Sequence, residues 1–506
     1  MAEKNKKFYI TTPIYYVNAK PHIGHAYTTI TADVLARYHR MRGDDVYFLT
    51  GTDEHGAKIQ QIADKTRKNP KEFVDEISAA FSEAWDVLNI SNDNFIRTTD
   101  PAHEKAVAAV TQKLFDKKFI YKGKYEALYC VGCEQYKTRA ELFDGKCPDH
   151  KCEPEIHAEE AYLFRMSKFK DELSRLIKSD KFKISPGARK NEMISFLEKE
   201  ELKDVAISRK KEKVPWGIEL PFDKNHTLYV WVDALLNYLT GLGWPKNKKV
   251  YDKFWPVNLQ LMSKDILRVH STIWPAMLLA MGEKLPKQLF VHGYFTIDGQ
   301  KMSKSLGNVI DPVELAGKYG VDEIRYFLSR EVSFGEDGDF GFIRLEGRYN
   351  ADLANGLGNL VARVLAMCEK YFDSKIPEKV SGSAERTWQS YEINMEKLAP
   401  HLALKDVWDL ISFCDQFINT EAPWQLAKVD KEKLSRVIYT LLETLRHIAW
   451  LIAPFMPMTS DKIFEQLGLK PETEKKKSLE KAKVWGGLAP GKKIKKGAAL
   501  FPRLEK

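Results

Sequence analysis

The first part of the chain alternates short apolar stretches with one long amphipathic stretch. Residues 7–17, "KFYITTPIYYV", predict a buried strand that ends in a turn broken by proline. In residues 22–43 the apolar side chains recur at helical spacing, and Gly43 ends the pattern. Residues 45–56, "DVYFLTGTDEHG", predict the next strand and the loop after it. A strand, a helix and a strand at this spacing predict a βαβ unit and therefore a parallel sheet of the α/β class.

The rest of the chain departs from this pattern in two places. Between about residues 115 and 225 a cysteine cluster and charged helices interrupt it. Strand-like patterns return in residues 226–239 and 288–300, so the sheet is predicted to be split by an insertion. After "FGEDGDF" the pattern is helical to about residue 468, which predicts a separate all-α part.

The composition is that of a globular protein with more than one domain. The chain has 506 residues, of which 44% are hydrophobic and 29% charged. Its 79 Lys and Arg against 70 Asp and Glu give a net charge of +9, and residues 471–506 alone hold 11 basic and four acidic residues. This excess is compatible with a polyanionic partner. No apolar run reaches about 18 residues and no secretory signal is present, so we expect no membrane segment and a cytoplasmic location.

Two histidines open the long helix and are the first candidate chemistry. His22 and His25 flank Gly24 at positions i and i+3, which share a helix face. Ligands of open parallel sheets bind outside the carboxyl ends of the strands, so residues 13–25 and 50–56 are expected on one rim. A helix N-terminus offers N–H groups and a positive dipole end to a phosphate. The pair alone is therefore consistent with a helix cap, a metal site or a phosphate site.

A second motif lies near residue 300. Residues 299–312, "GQKMSKSLGNVIDP", place Lys301 and Lys304 in a polar loop flanked by glycines. Lysines in such a loop can reach phosphate oxygens as mobile point charges. The motif alone leaves a solvated surface loop open as the alternative.

Together the two motifs resemble the signature pair of class I aminoacyl-tRNA synthetases, H-I-G-H and K-M-S-K-S, letter for letter. Other segments, among them "LTGTDEHG", "YVWVDALLNYL", "VHGYFTIDGQKMSKS" and "EAPWQLAK", are similar to the methionyl-tRNA synthetase family and follow the family's order over nearly the whole chain. The resemblance implies a methionine–tRNA ligase. Such an enzyme uses ATP to make methionyl-adenylate, releases pyrophosphate, and transfers methionine to the 3′ end of initiator and elongator tRNA-Met.

The resemblance also implies the roles of individual residues. The catalytic positions correspond to His22, His25, Lys301 and Lys304, which with Asn18 and Gly24 would bind ATP together with Mg²⁺. Asp53 would hold the α-ammonium group of methionine, because that group requires a carboxylate. Arg209 occupies the position of an arginine that contacts substrate. The positions of the methionine pocket correspond to Ile14, Tyr16, Trp231, Ala234, Leu235, Tyr238, Val269 and His270.

The physical demands of methionine agree with these residue types. An unbranched thioether favours aromatic faces and a polarizable wall. Tyr238 and His270 can in addition offer weak donors to the sulfur. Outside the family context, Trp231 and Tyr238 would be interpreted as core residues.

Four of the six cysteines lie in "CVGCEQYKTRAELFDGKCPDHKC", residues 130–152. Cys130 and Cys133 form one C-x-x-C knuckle, and Cys147 and His150 form a second knuckle of the same spacing, which is typical of a tetrahedral zinc site. His150 is the predicted fourth ligand, and Cys152 just beyond it is the alternative that the spacing leaves open. Four protein ligands and no open position predict a structural Zn²⁺ site.

The helical part carries the expected contacts to nucleic acid. By resemblance, Asn359, Arg363 and Trp424 occupy the positions that read the CAU anticodon, the first two by hydrogen bonds to base edges and the third by stacking. The basic tail would add salt-sensitive attraction to phosphates, or it is a solvated extension. Since no further module follows it, we expect a monomer that binds tRNA-Met, ATP and methionine.

These observations predict a Rossmann-like parallel-sheet catalytic domain split by a zinc-knuckle insertion and followed by an all-α helical-bundle domain that binds the anticodon. The expected boundaries are 1–115 for the first half of the catalytic domain, 116–225 for the insertion, 226–298 for the second half, 299–348 for the K-M-S-K-S loop and the region that contacts the tRNA stem, 349–468 for the helical domain and 469–506 for the basic tail.

Two other functions agree with part of the pattern. Another class I synthetase, for valine, isoleucine, leucine or cysteine, would share both motifs. The insertion of about 110 residues is smaller than the editing domain of the first three, and closed zinc knuckles do not suit the zinc-containing pocket of cysteine enzymes. A catalytically silent tRNA-binding paralogue would keep the helical domain, yet both histidines and both lysines of the motifs are intact.

Overall fold

The computed structural model describes residues 6–132, 135–137, 142–148, 151–297, 299–302 and 308–504. Its strands, numbered in chain order, are β1 (Lys7–Thr11), β2 (Tyr15–Tyr16), β3 (Asp45–Asp53), β4 (Asn94–Arg97), β5 (Ile120–Cys130), β6 (Gln135–Lys137), β7 (Glu155–Phe164), β8 (Lys183–Ser185), β9 (Val205–Ala206), β10 (Ser208–Lys210), β11 (Glu219–Leu220), β12 (Asp223–Leu228), β13 (Leu259–Ser263), β14 (Gln288–His292), β15 (Phe295–Ile297), β16 (Gln300–Lys301) and β17 (Gly338–Phe340).

The helices occupy the space around these strands and nearly all of the last third of the chain. They are α1 (Ile23–Met41), α2 (Ala57–Lys65), α3 (Pro70–Val87), α4 (Pro101–Asp116), α5 (Lys170–Lys178), α6 (Gly187–Lys199), α7 (Val230–Leu235), α8 (Asn237–Thr240), α9 (Lys248–Phe254), α10 (Leu267–Ser271), α11 (Ile273–Met281), α12 (Pro312–Tyr319), α13 (Val321–Arg330), α14 (Phe342–Arg348), α15 (Asn359–Phe372), α16 (Glu385–Glu396), α17 (Pro400–Glu421), α18 (Pro423–Val429), α19 (Lys431–Ile452), α20 (Pro457–Gln466), α21 (Pro471–Glu474) and α22 (Leu479–Ala482). Short 3-10 turns lie at Met166–Phe169 and Lys264–Ile266, and a π-helical segment at Tyr349–Gly358 precedes α15.

The predicted βαβ unit is confirmed. Strands β1 and β3 pair in parallel on either side of the connection through α1, with Ile10 opposite Phe48. The described strands of the central sheet number seven, in the order β2–β3–β1–β13–β14–β8, with β4 also pairing with β3, and every pairing in it is parallel. The carboxyl ends of β1, β3, β13 and β14 therefore meet at one edge.

The strand predicted in residues 226–239 is largely wrong. Strand β12 ends at Leu228, and the following residues form helices α7 and α8. A short continuous apolar run such as "VWVDALLNYL" does not distinguish a buried strand from a buried helix, which explains the error. The strand that fills this place in the central sheet is β13, whereas β12 pairs with β10 and β11 in a small separate sheet.

The predicted insertion, residues 116–225, does not stay apart from the central sheet. Its first part is a long antiparallel pair, β5 with β7, extended by β6 and β9. Its later strand β8 pairs in parallel with β14, with Ile184 opposite Leu289, at the edge of the sheet. Ile184 is 2% exposed, so a buried contact holds this part of the insertion to the sheet.

Both faces of the central sheet are covered, as parallel sheets require. Tyr9 and Leu49 belong to a hydrophobic cluster that reaches into the insertion and helices α7 to α11. Their neighbours Ile10 and Phe48 belong to a second cluster, which continues through α1 and α13 into the helical part of the chain. Because successive side chains of a strand point to opposite faces of the sheet, each of the two clusters packs against one face.

The expectation of a helical part to about residue 468 is confirmed, and the tail packs back onto it. Glu443 of α19 is fully buried, and its carboxylate accepts the backbone N–H groups of Gly486, Gly487 and Leu488 at 2.9, 2.9 and 3.0 Å. Arg446 donates to the same carboxylate at 2.8 Å through Nε. In the part of the chain that the structure describes, each helix is too short or too polar to cross a membrane.

Arg325 joins the sheet to the helical part. This fully buried side chain on α13 donates to the Asp33 carboxylate of α1 at 2.7 Å, and Asp33 is equally inaccessible. The same guanidinium donates to the carbonyl oxygens of Leu88, Pro454 and Phe455 at 3.1, 3.0 and 2.8 Å. One side chain therefore bridges the end of α3, helix α1 and the turn after α19.

We expect Arg325→Met to lower the free energy of unfolding by about 3–5 kcal/mol, because removing one partner leaves a buried charge and several carbonyl groups without their donor. Urea unfolding of the full chain measures this change. The control is Arg344→Met, since Arg344 is 57% exposed and lies 3.5 Å from Glu331. We expect that variant to lose less than about 1 kcal/mol. Equal losses in the two variants would contradict the bridging role of Arg325.

Candidate active site at the carboxyl edge of the sheet

A cavity of about 250 Å³ opens beyond the carboxyl ends of β1, β13 and β14. Among its lining residues are Ile14, Tyr16, His22, Gly24 and His25, all of which were predicted to bind ATP or methionine. Its other lining residues are Pro13, Tyr15, Tyr27, Thr28, Ser263, Asp265, Ile266, His292, Gly293, Tyr294, Phe295 and Met302. The cavity lies on the rim where an open parallel sheet binds its ligands.

The cavity residues at the ends of β13 and β14 were missed by the sequence analysis. Ser263 is the last residue of β13, a strand that was not recognised, and Asp265 lies just after it. His292 is the last residue of β14, a strand that was recognised. The rule that ligands bind at the carboxyl ends of strands would have found His292. Its Nε2 lies 2.8 Å from Thr28 Oγ1 of α1, so His292 also connects the sheet to the helix that begins with the two histidines.

Both histidines cap helix α1 through the same ring atom. Gly24 N donates to His22 Nδ1 at 3.1 Å, and His22 N donates to His25 Nδ1 at 3.2 Å, which is a reciprocal capping box. Because each Nδ1 accepts a hydrogen bond, the proton of each neutral ring is on Nε2. The helix-cap interpretation and the phosphate interpretation are therefore compatible, since the cap uses Nδ1 and leaves Nε2–H as the donor that a phosphate needs.

The two rings are neutral at physiological pH. Burial lowers the pKa of His22 to about 4. Burial and the neighbouring His22 together lower the pKa of His25 well below its ordinary value of 6.5. The rings stack with centroids 3.7 Å apart, and His25 also lies 4.9 Å from the ring of Tyr15. The site therefore presents neutral N–H donors at the positive end of a helix dipole.

The second motif approaches the same turn from the other side. A Cβ atom on Gly24 would lie 2.9 Å from Cε1 of His22 and 3.2 Å from Cε of Met302, so only glycine fits between the ring and this loop. Ile23 N donates to Ile310 O at 3.0 Å, which ties the chain beyond the loop to the helix start. The backbone of Lys301 is part of β16, and Lys304 lies outside the described residues.

Asp53 is the last residue of β3 and pairs with Tyr16 of β2. Its carbonyl oxygen accepts the N–H of Val17 at 3.1 Å, and Asn18 follows in the turn that leads to α1. Burial raises the pKa of Tyr238, and the negative charge of Asp53 contributes to this increase. The carboxylate predicted for the ammonium group thus lies within electrostatic reach of the predicted side-chain pocket.

The aromatic residues of the predicted methionine pocket contact one another. The Tyr238 hydroxyl and His270 Nε2 are 2.8 Å apart, and His270 Nδ1 lies 3.0 Å from the Ile266 carbonyl oxygen. The carbonyl requires a proton on Nδ1, and burial lowers the pKa of His270 to about 4, so Nε2 accepts the hydroxyl proton of Tyr238. Trp231 meets the His270 ring edge to face at 6.2 Å. The side chains of Ala234, Leu235 and Val269 are buried beside this cluster.

In this arrangement the Tyr238 hydroxyl donates its proton to His270, whereas the sequence analysis predicted that both groups donate to a sulfur atom.

Arg209 is 5% exposed, and its guanidinium lies over the rings of Tyr129 and Tyr229 at 5.2 and 5.0 Å. Tyr129 immediately precedes Cys130, so Arg209 links the small β10–β12 sheet to the start of the cysteine cluster.

Two cysteines of the predicted zinc knuckles, Cys130 and Cys147, are described, and so is the alternative ligand Cys152. Cys130 and Cys152 have their sulfur atoms 3.8 Å apart, and Cys147 N donates to Cys152 O at 2.8 Å. Two thiolates at about 2.3 Å from one tetrahedral zinc ion lie about 3.8 Å apart, so the pair fits a common ion. Cys133 and His150 lie outside the described residues, and within the described ones no group of three or more His, Cys, Asp or Glu is arranged for a metal ion.

The residues predicted to read an anticodon lie in the helical part. Asn359 is exposed at the first position of α15, and Trp424 near the start of α18 is 46% exposed. Arg363, one turn after Asn359, donates to Asp415 at 2.9 Å and to Asn419 at 3.4 Å, both on α17. These two hydrogen bonds hold the guanidinium in one orientation.

Two families match the chain in succession. The family described as "tRNA synthetases class I (M)" matches residues 8–155 and 138–365. The family described as "Anticodon binding domain of methionyl tRNA ligase" matches residues 375–506. The first match ends within α15 and the second begins just after that helix, so both meet in the helical part.

Curated relatives and solved structures agree with these matches. The methionine–tRNA ligase of Caldanaerobacter subterraneus subsp. tengcongensis is 47% identical over 99% of this chain and 79% of the relative, and that of Bacillus subtilis is 44% identical over 100% and 79%. The structure of Mycobacterium tuberculosis methionyl-tRNA synthetase in complex with methionyl-adenylate superimposes with a TM-score of 0.92 at 37% identity, covering 98% of this chain and all of the other. The free form of the same enzyme gives a TM-score of 0.85 at 34% identity, with all of both chains covered.

We expect nitrogen-15 NMR of the histidine-labelled protein to show His22 neutral, with its proton on Nε2, from pH 8 down to about pH 5.5. The pKa of about 4 lies below the unfolded value of about 6.5. The stability that the neutral ring contributes is therefore complete above pH 6.5 and is lost as the pH falls towards 4. His55, whose pKa Asp233 and Glu104 raise to about 10 against the opposing effect of burial, stays protonated in the same spectra and serves as the control. A His22 signal that titrates near pH 6.5 would contradict the capping tautomer; His22→Gln assigns the signal.

Proposed function

This chain belongs to the class I methionyl-tRNA synthetases, and on that premise we propose how its site carries out the reaction of a methionine–tRNA ligase. The enzyme joins methionine to ATP as methionyl-adenylate, releases pyrophosphate, and transfers the methionyl group to the 3′ end of tRNA-Met for translation. The observation that carries the proposed mechanism is the meeting of the two capping histidines with Met302 at one cavity on the rim of the sheet.

The first step is phosphoryl chemistry. A carboxylate oxygen of methionine attacks the α-phosphorus of ATP, the bond to the β-phosphate oxygen breaks, and pyrophosphate leaves with the electron pair. Negative charge grows on the oxygens of the transferring group and of pyrophosphate, so donors aimed at them lower the barrier. We assign His22 and His25, through Nε2–H, to the phosphate oxygens, with Asn18 and Gly24 at the same turn.

The lysines of the second motif serve the leaving group in this proposal. Lys301 and Lys304 would neutralise pyrophosphate as it departs, because a flexible ammonium group can follow a moving charge. Support comes from the chain on either side of residues 303–307, since Met302 and Gly24 line the same cavity and the Ile310 carbonyl oxygen accepts a hydrogen bond from Ile23 N. ATP requires Mg²⁺, which would supply further charge neutralisation at the phosphates.

Methionine would bind between Asp53 and the aromatic cluster. Asp53 would accept its ammonium group, and the thioether would lie against Trp231, Tyr238 and His270, with Arg209 as a further contact to substrate. The smaller wall positions are Ile14, Tyr16, Ala234, Leu235 and Val269. The charge of Asp53 contributes to the raised pKa of Tyr238. This supports the assignment, because the two ends of the proposed amino acid site must then lie near each other.

The helical part would recognise tRNA-Met. We assign Asn359 and Arg363 to the edges of anticodon bases and Trp424 to stacking, supported by the exposure of Asn359 and Trp424 and by the fixed guanidinium of Arg363. The lysines after residue 471 add salt-sensitive attraction to the backbone. We propose a cytoplasmic location for the enzyme, because its product is used in translation.

The knuckled insertion would hold one structural Zn²⁺. We propose Cys130, Cys133 and Cys147 as three ligands and either His150 or Cys152 as the fourth. The sulfur–sulfur distance of 3.8 Å between Cys130 and Cys152 favours Cys152. The ion would fix the fold of the insertion rather than take part in catalysis, because four protein ligands leave no open position.

We expect ATP–pyrophosphate exchange to depend on methionine in a panel that includes valine, isoleucine, leucine and cysteine. Lys304→Ala should lower kcat of exchange about 100- to 1,000-fold, as loss of one donor to a developing oxyanion does. Lys246→Ala removes an exposed lysine outside the site and should leave the rate unchanged. Exchange driven by another amino acid, or a Lys304→Ala variant as fast as the control, would overturn the assignment.

We expect the purified chain to carry one zinc ion and Cys152→Ser to lose it to a chelator at least tenfold faster, because a hydroxyl is a poor replacement for a thiolate. Zinc release followed with a colorimetric indicator measures this. Cys368→Ser changes a buried cysteine of the helical part and is the control. Fast release from His150→Ala combined with normal release from Cys152→Ser would assign the fourth position to His150 instead.

A further inference from the structure

A buried carboxylate joins two histidines behind the amino acid site. Asp233 is 1% exposed, and its two oxygen atoms have different partners. Its Oδ2 lies 2.7 Å from His55 Nδ1, and its Oδ1 lies 2.8 Å from His103 Nε2. Both histidines are buried as well. Asp233 lies 178 positions after His55 and 130 positions after His103, so this cluster exists only in the folded chain.

Each member of the cluster belongs to a different element. His55 lies in the loop after β3, His103 lies on α4, and Asp233 lies on α7. The other ring nitrogen of His103 is 2.7 Å from Thr240 Oγ1 at the end of α8, and that of His55 is 3.6 Å from Glu104. The cluster therefore ties α7 and α8 to α4 on one side and to the loop after β3 on the other.

The link between His55 and Asp233 is a charge-assisted hydrogen bond. Burial alone would lower the pKa of His55, but Asp233 and Glu104 raise it to about 10. Burial alone would raise the pKa of Asp233, whereas its two histidine partners bring it below the ordinary value. At neutral pH an imidazolium group thus faces a carboxylate. A hydrogen bond between two such charged groups is shorter and stronger than one between neutral groups.

The residues beside the cluster are those assigned to methionine. Asp53, two positions before His55, was assigned to the ammonium group. Trp231 and Ala234, two positions before and one after Asp233, were assigned to the side-chain pocket. The bond between His55 and Asp233 therefore connects the two segments of chain that carry the two ends of the proposed amino acid site.

We propose that Asp233 is a positioning residue for methionine, which holds the ammonium-binding loop and the side-chain pocket at a fixed separation through His55 and His103. This inference rests on the proposed binding of methionine between Asp53 and the aromatic cluster. Asp233 itself does not touch the substrate; its effect passes through the loop and through α7.

The loop has other anchors, so loss of this bond shifts the loop without unfolding it. The Glu54 carboxylate accepts hydrogen bonds from Nε and Nη2 of Arg97 at 2.7 and 2.9 Å. The Glu54 carbonyl oxygen accepts a hydrogen bond from Trp216 Nε1 at 2.6 Å. Removing Asp233 lowers the free energy of unfolding, because it leaves buried imidazole groups without their carboxylate. In the protein that remains folded, the expected consequence of losing Asp233 is a change in amino acid binding.

The test uses the full chain and compares the KM values of its two small substrates in ATP–pyrophosphate exchange. Asp233→Asn opposes one imidazole N–H with an amide NH₂ and removes the charge. We expect it to raise KM for methionine at least tenfold, while KM for ATP stays within twofold of the parent. Asp44→Asn is the matched control, because Asp44 forms a similar pair with His39 at 2.7 Å beside the amino end of β3. It should leave both KM values unchanged.

A second pair of variants tests the hydrogen bond itself. His103→Gln keeps a side-chain N–H donor near the position of Nε2, so KM for methionine in this variant should stay within threefold of the parent value. His103→Leu removes the donor and should raise KM for methionine as Asp233→Asn does. If Asp233→Asn does not fold, the comparison of His103→Gln with His103→Leu tests the proposal instead. A normal KM for methionine in Asp233→Asn and His103→Leu, or equal increases for methionine and ATP, would overturn the proposal. Absence of methionine-dependent exchange in the parent chain would instead overturn the proposed function.

Discussion

The reciprocal capping of helix α1 by His22 and His25 is the interaction on which the cavity depends. It makes the same two side chains part of the helix and part of the site. Since each Nδ1 accepts a backbone hydrogen bond, the rings cannot rotate freely, and their tautomer is determined by the fold rather than by the ligand. Burial keeps the rings uncharged, so in the proposed mechanism the positive potential for a triphosphate would come from the helix dipole, the lysine loop and Mg²⁺. Gly24 is required because the ring of His22 and Met302 occupy the space of a side chain.

Local patterns in the sequence predicted the first half of the site well. The β1–α1–β3 unit, the rim and the place of Asp53 follow from periodicity over some fifty residues and from a rule on strand ends. The far wall was harder, because Ser263 ends β13 and Asp265 follows it. This five-residue strand has no alternation and reaches the site only through its register with β1. Helices α7 and α8 were mistaken for a strand for the related reason that short apolar runs carry no period.

Other features could not be predicted from the residues at all. Nothing around His55, His103 or Asp233 marks them as partners, because their pairing is a product of three elements that meet only after the insertion has folded back. Arg325 is similar: on its helix it is one more arginine, and its buried contacts with Asp33 and with the turn after α19 depend on how the helical part lies against the sheet. The family resemblance supplied the roles of residues that patterns alone would have called core, such as Trp231 and Tyr238.

The carboxylate of Glu443 has a consequence for how the protein is made. Its amide partners at residues 486–488 are 43 to 45 positions later in the chain, and the side chain has no contact with solvent once they are in place. A ribosome exposes α19 well before it exposes those glycines, so the nascent helix must carry an ionised group on what will become an interior surface. Final closure of the helical bundle therefore waits until residues 486–488 have been synthesised, and in this family protein synthesis is the process that the enzyme itself supplies.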